Sequence, residues 1–574
     1  MLDTLTHSLA NGHGFYEYFD YVSYPFVPPP ELNGQAVRHE VVIVGGGPVG
    51  LTVALDLARF GVRSVVLQQS DKVSYGSRAG CISRRSVEIF DQLGVVRPFL
   101  ESGLPWDTGR CFYRNDEVLR FQMPVKETEK FPPMINLPQN YIEQYLVDAA
   151  QANDLIELRW QNKAVSVEQN SDDGVRLLVS TPEGEYRLAA SWLIASDGAR
   201  STIRKSLGLS LQGESFQGRY LIADIRLKTT LPTGRLAWFD PPSNPGSTVL
   251  MHRLTEDIWR FDYQLSDHES DDQALDPSNV SKRISQHLEM IGESGDWELS
   301  WISIYRANAL TLEDYRHSRV MFVGDAAHPI PIFGVRGLNS GLEDAHNLAW
   351  KLAYVLRHGF PETILNTFSS ERREGTEDNL HNARKSTLFM NPPSPAYSLM
   401  RTAVLTLSTQ NSWLSCLINP RQSAPAAYGA SSVVLSTHSP EFKGGPQAGQ
   451  LLIQMPVKVG AGKQVSYLSE TIQGRFLAIW FSRDSKVPIE WCGAMASLRE
   501  QGAMLSPCVV SPTSPNADCW WITDEHEAIL DVYGVIKDAL YLVRPDGYVA
   551  GRWSDPVIKD ITPVIEAICV GGGQ

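Results

Sequence analysis

The amino-acid sequence predicts a multidomain α/β protein whose first domain is Rossmann-like, and three observations carry that reading. The stretch HEVVIVGGGPVGLTVALDLARFGVRSVVLQQS, residues 39–70, runs strand, glycine turn, helix, strand, which makes a complete βαβ unit. Two later apolar strands close on an acid next to a glycine: Asp197-Gly198 in WLIASDGARSTIRKSLGL and Gly324-Asp325 in VMFVGDAAHPIPIFGVRGLNSG. Between those two, short alternating runs such as IWRFDYQLS and SWISIYRAN have the period of an antiparallel sheet.

The βαβ unit carries the spacing Gly45-x-Gly47-x-x-Gly50. The first glycine permits the tight turn, the second lets the backbone approach a pyrophosphate, and the third lets helix and strand pack closely. The helix start then offers unpaired N–H groups and partial positive charge to phosphates. An acid usually ends the second strand and accepts hydrogen bonds from the ribose. Here the place falls on Gln68 or Gln69, whose amide oxygen still accepts, without the strength of an ionised acceptor.

At 574 residues, two or three domains are expected. A net charge of -14 argues against a general nucleic-acid binder. The seven cysteines are scattered with no CxxC pair and no zinc spacing, which reads as a reduced, cytoplasmic chain without a metal. The first residues lack a secretory pattern, and the apolar run LAWKLAYVL is broken by Lys351, so no membrane span is expected.

Organisation follows from shifts in pattern. Residues 1–38, aromatic and then proline-rich, form an N-terminal arm; 39–210 make the first part of the nucleotide-binding domain; 211–310 make an inserted antiparallel sheet. Residues 311–395 return to the nucleotide-binding domain with a long helix, 396–444 are helix and linker, and 445–574 alternate strands and helices. In that last part DALYLVRPDGYVAGRW signals a hairpin with Asp546-Gly547 at its turn.

The fingerprint and the two acid–glycine motifs, in this order, resemble the FAD-dependent aromatic hydroxylases of the para-hydroxybenzoate and phenol hydroxylase type. Within these the chain looks most like the 3-(3-hydroxyphenyl)propionate hydroxylase and chlorophenol hydroxylase branch. The resemblance implies an FAD-binding Rossmann-like domain, an inserted substrate sheet, and a C-terminal thioredoxin-like domain that without CxxC cannot exchange dithiols. It implies FAD as cofactor, NADPH or NADH as co-substrate, O2, a small aromatic substrate, and hydroxylation through a flavin C4a-hydroperoxide. A homodimer is an expected assembly. Asp325 would hold the ribityl chain, Gly337-Leu338-Asn339 would turn backbone N–H groups toward the pyrimidine end of the flavin, and Asp197-Gly198 would serve both FAD and the nicotinamide coenzyme. Arg78 and Gln139 match residues lying along the cofactor, and Pro331 begins the loop passing the flavin face. Ile332 stands where relatives often have a second proline, and His328 is expected to be structural.

For catalysis, a base or acceptor is expected at the phenol oxygen. In IWRFDYQLS, alternation puts Arg260, Asp262 and Gln264 on one face. Asp262 occupies the position of a family tyrosine and is expected to stay ionised beside Arg260; the rival reading is a structural Arg260–Asp262 pair. His252, Gln264 and Ile332 are candidate substrate contacts. Phenol hydroxylases carry an acid near the position of Gly80, and this chain has none. A flavin-dependent reductase or epoxidase, or a non-catalytic FAD-binding scaffold, are the alternatives.

Overall fold

The computed structural model describes residues 19–76, 79–418, 422–435, 442–460, 465–516 and 519–570. The core of the first domain is a parallel stack in which Arg38–Val44 lies between Ser64–Gln68 and Gly184–Ala195, with Val41 to Val44 all buried. Val320–Phe322 extends it in parallel on one side and Ile156–Trp160 on the other. The β-branched run makes these strands, and burial on both faces explains why they read as continuous apolar stretches.

The helix Pro48–Arg59 starts at a proline with Gly47 as its cap and leans on the long helix Gly337–His358. Glycine makes that approach possible. A Cβ on Gly50 would sit 2.0 Å from the Gly45 carbonyl oxygen, and one on Gly341 would sit 2.7 Å from a Val49 methyl.

The inserted sheet has seven strands, ordered Trp297–Thr311, Gln212–Leu227, Ile258–Gln264, Thr248–Arg253, Arg235–Phe239, Thr108–Tyr113 and Asp116–Gln122. The boundary expected at residue 211 therefore needs correction, because residues 108–122 belong to this sheet. Thr108–Tyr113 joins it in parallel with Arg235–Phe239, a pairing between distant segments that local alternation does not reveal. One face of the sheet packs Leu221, Met251, Trp259 and Phe261 against Ile284 and Leu288 of the helix Pro277–Met290. The opposite face looks toward the first domain.

A third sheet, also seven-stranded, fills the C-terminal part. Its hairpin pairs Ala539–Val543 with Val549–Ser554 and turns through Asp546-Gly547, where Gly547 has φ 84°. The sheet and the helices Ile489–Glu500 and Ile558–Cys569 share one apolar cluster with Trp350 and Tyr354 of the long helix. The arm residues preceding the first strand lie on the first domain, with Tyr24 stacked on Trp160 at 4.1 Å. Among the described residues, no helix is long and apolar enough to cross a membrane, and no group of three or more His, Cys, Asp or Glu side chains is placed to hold a metal.

Buried charges join the C-terminal hairpin to the first domain. Glu371, on the helix Ile364–Met390, accepts from Arg544 at 2.8 and 3.0 Å, from Lys351 at 2.8 Å and from Asn347 at 2.8 Å. Arg544 also pairs with Asp546, whose carboxylate takes the indole N–H of Trp350 at 3.1 Å. Burial works to raise the Glu371 carboxyl, yet Arg544 and Lys351 hold it down at about 2. Arg544→Met should cost about 3–5 kcal/mol, because it leaves buried carboxylates short of a cation; a thermal melt that matches wild type would refute this. Since the Glu371 carboxyl falls from 4.5 to about 2 on folding, its contribution is complete above pH 4.5 and disappears as pH drops toward 2. Melting followed across that window should show the loss in wild type and a smaller one in Glu371→Gln.

Candidate active site

The fingerprint turn, the two acid–glycine turns and the start of the long helix converge on one groove. A Cβ on Gly45 would lie 2.4 Å from the Ser196 carbonyl oxygen and 3.0 Å from the Asp197 nitrogen, so the first two motifs touch through backbone. Gly47 faces open space, as a position approached by a ligand must. Gln68 ends its strand against this turn, its amide oxygen 3.4 Å from the Gly46 N–H, while Gln69 follows the strand and is exposed. Of the two, Gln68 is the one at the groove.

Asp197 uses one carboxylate oxygen to accept from the N–H groups of Thr202 and Ile203, and its other oxygen is buried without a hydrogen-bond partner. Burial raises its pKa, opposed by the hydrogen bonds it receives. Gly198 follows in the left-handed region at φ 77°. Asp325 is exposed, and a Cβ on Gly337 would come within 3.9 Å of its carboxylate. The long helix begins at Gly337 with no side-chain cap, and its first intrahelical bond runs from the Ser340 N–H to the Arg336 carbonyl. The N–H groups of Gly337, Leu338 and Asn339 are therefore the free donors of a helix start.

The Asn339 side chain has a different duty. It accepts from the Ser83 N–H at 2.8 Å and the Ser86 hydroxyl at 2.6 Å, and donates to the Val335 carbonyl at 2.6 Å. Val335 stands at φ 59°, a conformation a β-branched residue rarely adopts, immediately after Gly334 at φ 86°. Pro331 is buried at the start of this loop, and Ile332 is half-buried against the apolar face of the inserted sheet. His328 is fully buried and held by Asp344 at 2.5 Å, a structural role that matches the expectation. Arg78 lies outside the described residues. Gln139 fixes the neighbouring backbone: it accepts from the Ala79 N–H at 3.1 Å and donates to Glu143 at 2.7 Å.

Ala79-Gly80 are thereby pressed onto the inserted sheet. A Cβ on Gly80 would meet Leu254 at 3.0 Å, Arg260 at 3.5 Å and His252 at 3.8 Å. A side chain at Gly80 would therefore crowd the Leu254 methyl and touch Arg260 and His252.

The sheet face opposite Gly80 carries the other candidates, and here two expectations change. Arg260 does not pair with Asp262; both Nε and Nη2 donate to Asp224, at 2.7 and 2.8 Å. Asp262 is 5% exposed and accepts no hydrogen bond from a described residue. Burial pushes its carboxyl up to about 6, against the pull of Arg260 and Arg235. The expected lowering by Arg260 is thus corrected: Asp224 takes up the Arg260 guanidinium and burial raises the Asp262 carboxyl, although at about 6 it is still mostly ionised at neutral pH. Gln264 shares the face, but its amide is spent, the oxygen on Thr248 and the nitrogen on Asn391 at 2.7 Å. His252 is buried beside Arg260, its Nδ1 without a partner, and burial followed by Arg235 and Arg260 drives it well below its ordinary range. It is neutral.

One strand over from Asp262, the sheet and the loop residues Phe333 and Gly334 line a half-open apolar pocket of ≈ 70 Å³ whose walls include Ala237, Phe239, Leu250, Phe389 and Met390. Leu250 is the direct cross-strand neighbour of Asp262. Arg235, which sequence reasoning missed, also lines it.

The groove fits FAD on the evidence of its own atoms: backbone packed too closely for any Cβ at Gly45, helix N–H groups left uncapped, and an orphaned carboxylate oxygen on Asp197. Residues 38–383 match the family model described as FAD binding domain. The chain is similar to a 3-(3-hydroxy-phenyl)propionate/3-hydroxycinnamic acid hydroxylase of Escherichia coli, 26% identical over 545 residues that cover 90% of this chain and 92% of the relative. Its fold is that of the flavin-dependent monooxygenase PieE solved with FAD and substrate, at TM-score 0.78 and 22% identity over 93% of this chain and 98% of PieE. Aklavinone-11 hydroxylase, solved with FAD and aklavinone, superposes at TM-score 0.74 and 21% identity over 93% of this chain and all of that one. With the family model covering more than half of the sequence, the chain belongs to the FAD binding domain family.

Proposed function

We propose that the protein hydroxylates a phenolic or related aromatic compound at the expense of NAD(P)H and O2. The observation that supports this reading is Asp262: a buried carboxylate, without a hydrogen-bond partner among the described residues, on the sheet face that meets Gly80 and beside Leu250 of the apolar pocket. FAD, when bound, supplies the redox and oxygen-transfer chemistry. The 3-(3-hydroxy-phenyl)propionate hydroxylase relative supports the choice of a phenol.

The chain's own residues then have three tasks. Gly45, Gly47, Gly50, Asp197, Gly198, Asp325 and the N–H groups of Gly337 to Asn339 bind the cofactor, with Gln68 at the ribose. Phe239, Phe333 and Phe389 keep water from the ring to be hydroxylated. Asp262 accepts the phenolic proton, which makes the ring more nucleophilic. A base with a pKa of about 6 suits this task, because it is mostly ionised at neutral pH yet more basic than an ordinary carboxylate. Arg260, pinned by Asp224, holds a fixed positive charge at the flavin side of the face.

Asp262→Asn should lower substrate-dependent hydroxylation by about 10²–10⁴-fold while FAD content stays at the wild-type level. Product formation, measured beside NAD(P)H consumption, separates loss of hydroxylation from loss of reduction; hydroxylation within twofold of wild type would remove Asp262 from the mechanism. In wild type the rate should climb as pH rises through about 6 and then level off, and this limb should vanish in the variant.

The same shift predicts a stability gain. A carboxyl raised from 3.8 to about 6 makes the folded state lose stability as pH rises through that interval, with the loss complete at neutral pH. Asp262→Asn should therefore be more stable than wild type by on the order of 1–3 kcal/mol at pH 7, and equal to it below the unfolded pKa. An unchanged or lower melting temperature at neutral pH would contradict it.

A further inference from the structure

The helix Pro395–Ser408 and the helical turn Ser412–Ile418 carry apolar side chains on the side that faces water as well as on the side that faces the fold. Inward, Val404 and Leu405 join Phe389, Met390 and Ile418 in one cluster, so the two elements back a wall of the apolar pocket, which the last three residues line. Outward, Ala396, Leu399, Met400, Ala403 and Leu407 recur at i, i+3, i+4, i+7 and i+11, and all are exposed, Leu399 by 72%. Trp413, 71% exposed, and Leu417 add large apolar surface just beyond the helix. Pro395, Thr402 and Thr406 fill the rest of the outer face, which among the described residues carries no charged side chain. A single exposed leucine is ordinary, but a helix that is apolar all round calls for a cover on both sides.

We infer that this face is a docking surface for an anionic lipid membrane, on which the protein lies without crossing it. Charge selects the occupant. In a chain of net charge -14, residues 379–440 contain no Asp or Glu, while Arg384, Lys385, Arg401 and Arg421 all fall there. Arg401 is buried and donates to the Met390 carbonyl at 3.0 Å, which fixes the helix to the fold; Arg384 and Lys385 are exposed on the helix that precedes it. Beside the face runs the strand Asp116–Gln122, where Glu117 is held by Arg110 and Arg120, and Asp240 is likewise paired with Arg114. Asp116 is the one acid of that strand without such a partner among the described residues. Carboxylates are thus absent from the face or mostly neutralised at its border, which suits anionic headgroups. Exposed Trp413 suits the headgroup level, where an indole keeps its N–H wet and its ring in lipid. A second copy of the chain fits less well, because a two-fold contact sets the same cations against each other. Met390 and Ile418 belong both to the cluster behind the face and to the pocket wall, so an apolar compound dissolved in the bilayer lies close to the pocket.

The test is flotation of the full-length, FAD-loaded protein with two kinds of vesicle, phosphatidylcholine alone and phosphatidylcholine mixed equally with phosphatidylglycerol. Wild type is compared with the triple variant Leu399→Gln, Leu407→Gln, Trp413→Gln. Wild type should bind the mixed vesicles at least about tenfold more tightly than the neutral ones, and high salt should narrow that gap. The triple variant should lose about tenfold or more of the mixed-vesicle affinity. All three side chains are exposed, so the FAD content and melting temperature of the variant should match wild type; Trp413→Gln alone repeats the comparison with a single change at the surface. If wild type stays in the soluble fraction, binds both vesicles equally, or floats no better than the variants, the assignment is overturned. Light scattering over a range of protein concentrations reads the rival occupant. A dimer that the triple variant dissociates, with no vesicle binding by wild type, gives the face to a second copy and overturns the membrane reading as well.

Discussion

Asp344 is the residue on which the flavin side of the fold depends. One carboxylate oxygen takes both the Gly324 N–H at 2.9 Å and His328 at 2.5 Å; the other takes Arg372 at 2.6 Å. The turn that presents Asp325, the corner that follows it and the helix Ile364–Met390 are thus tied to one fully buried side chain on the long helix. Burial alone would raise this carboxyl, but His328 and Arg372 hold it at about 2. Arg372 then reaches Ser340, in the first turn of the same helix, and the Tyr428 hydroxyl. Ionised and fully bonded, Asp344 fixes the second acid–glycine turn relative to the N–H groups of Gly337 to Asn339 at the start of its own helix.

The sheet face obeys the opposite electrostatic rule. Asp344 and Glu371 are buried among cations and stay acidic, whereas Asp262 is equally buried and rises to about 6. The difference is hydrogen bonding and competition. Asp224 lies beside Arg260 in the neighbouring strand and takes two of its N–H groups, so Asp262 feels Arg260 only as one half of an ion pair. With no donor among the described residues, its desolvation is not repaid by a hydrogen bond. A fold that wanted only stability would place a leucine there, as it does at Leu250 on the adjacent strand.

Much of this was legible in the sequence, and the limits have physical causes. Glycines at fixed spacing announce themselves because only they tolerate backbone at contact distance, so the fingerprint, both acid–glycine turns and the long helix were all read correctly in place. Alternation at period two put Arg260, Asp262 and Gln264 on one face, and the strand Ile258–Gln264 bears that out. Alternation says nothing about which residue of another strand stands opposite. Asp224, the lone acid in LIADIRL, was the one available signal for a partner of Arg260, and Arg235 gave none. The parallel docking of Thr108–Tyr113 and the spent amide of Gln264 likewise depend on pairings across long stretches of chain. Val335 could not be foreseen at all, since its positive φ is imposed from outside.

That outside support can be traced. Val335 costs on the order of 1–3 kcal/mol to hold in the left-handed region, so its neighbours must over-determine it. Asn339 grips its carbonyl, and Ser83 and Ser86 orient Asn339. Ser86 belongs to the helix Arg84–Gln92, whose Arg85 donates at 2.6 Å to the carbonyl of Asp546 in the C-terminal hairpin. On the other side, the Ser423 N–H bonds the Gly334 carbonyl at 2.7 Å, and Arg336 reaches Asn379. The loop around Val335 is thus clamped between two supports, one of which ends in the C-terminal sheet. A segment without CxxC has no dithiol chemistry to offer. What it does supply is a rigid abutment, aimed by the Asp546-Gly547 turn, against which a strained loop can be held in the conformation that borders the cavity.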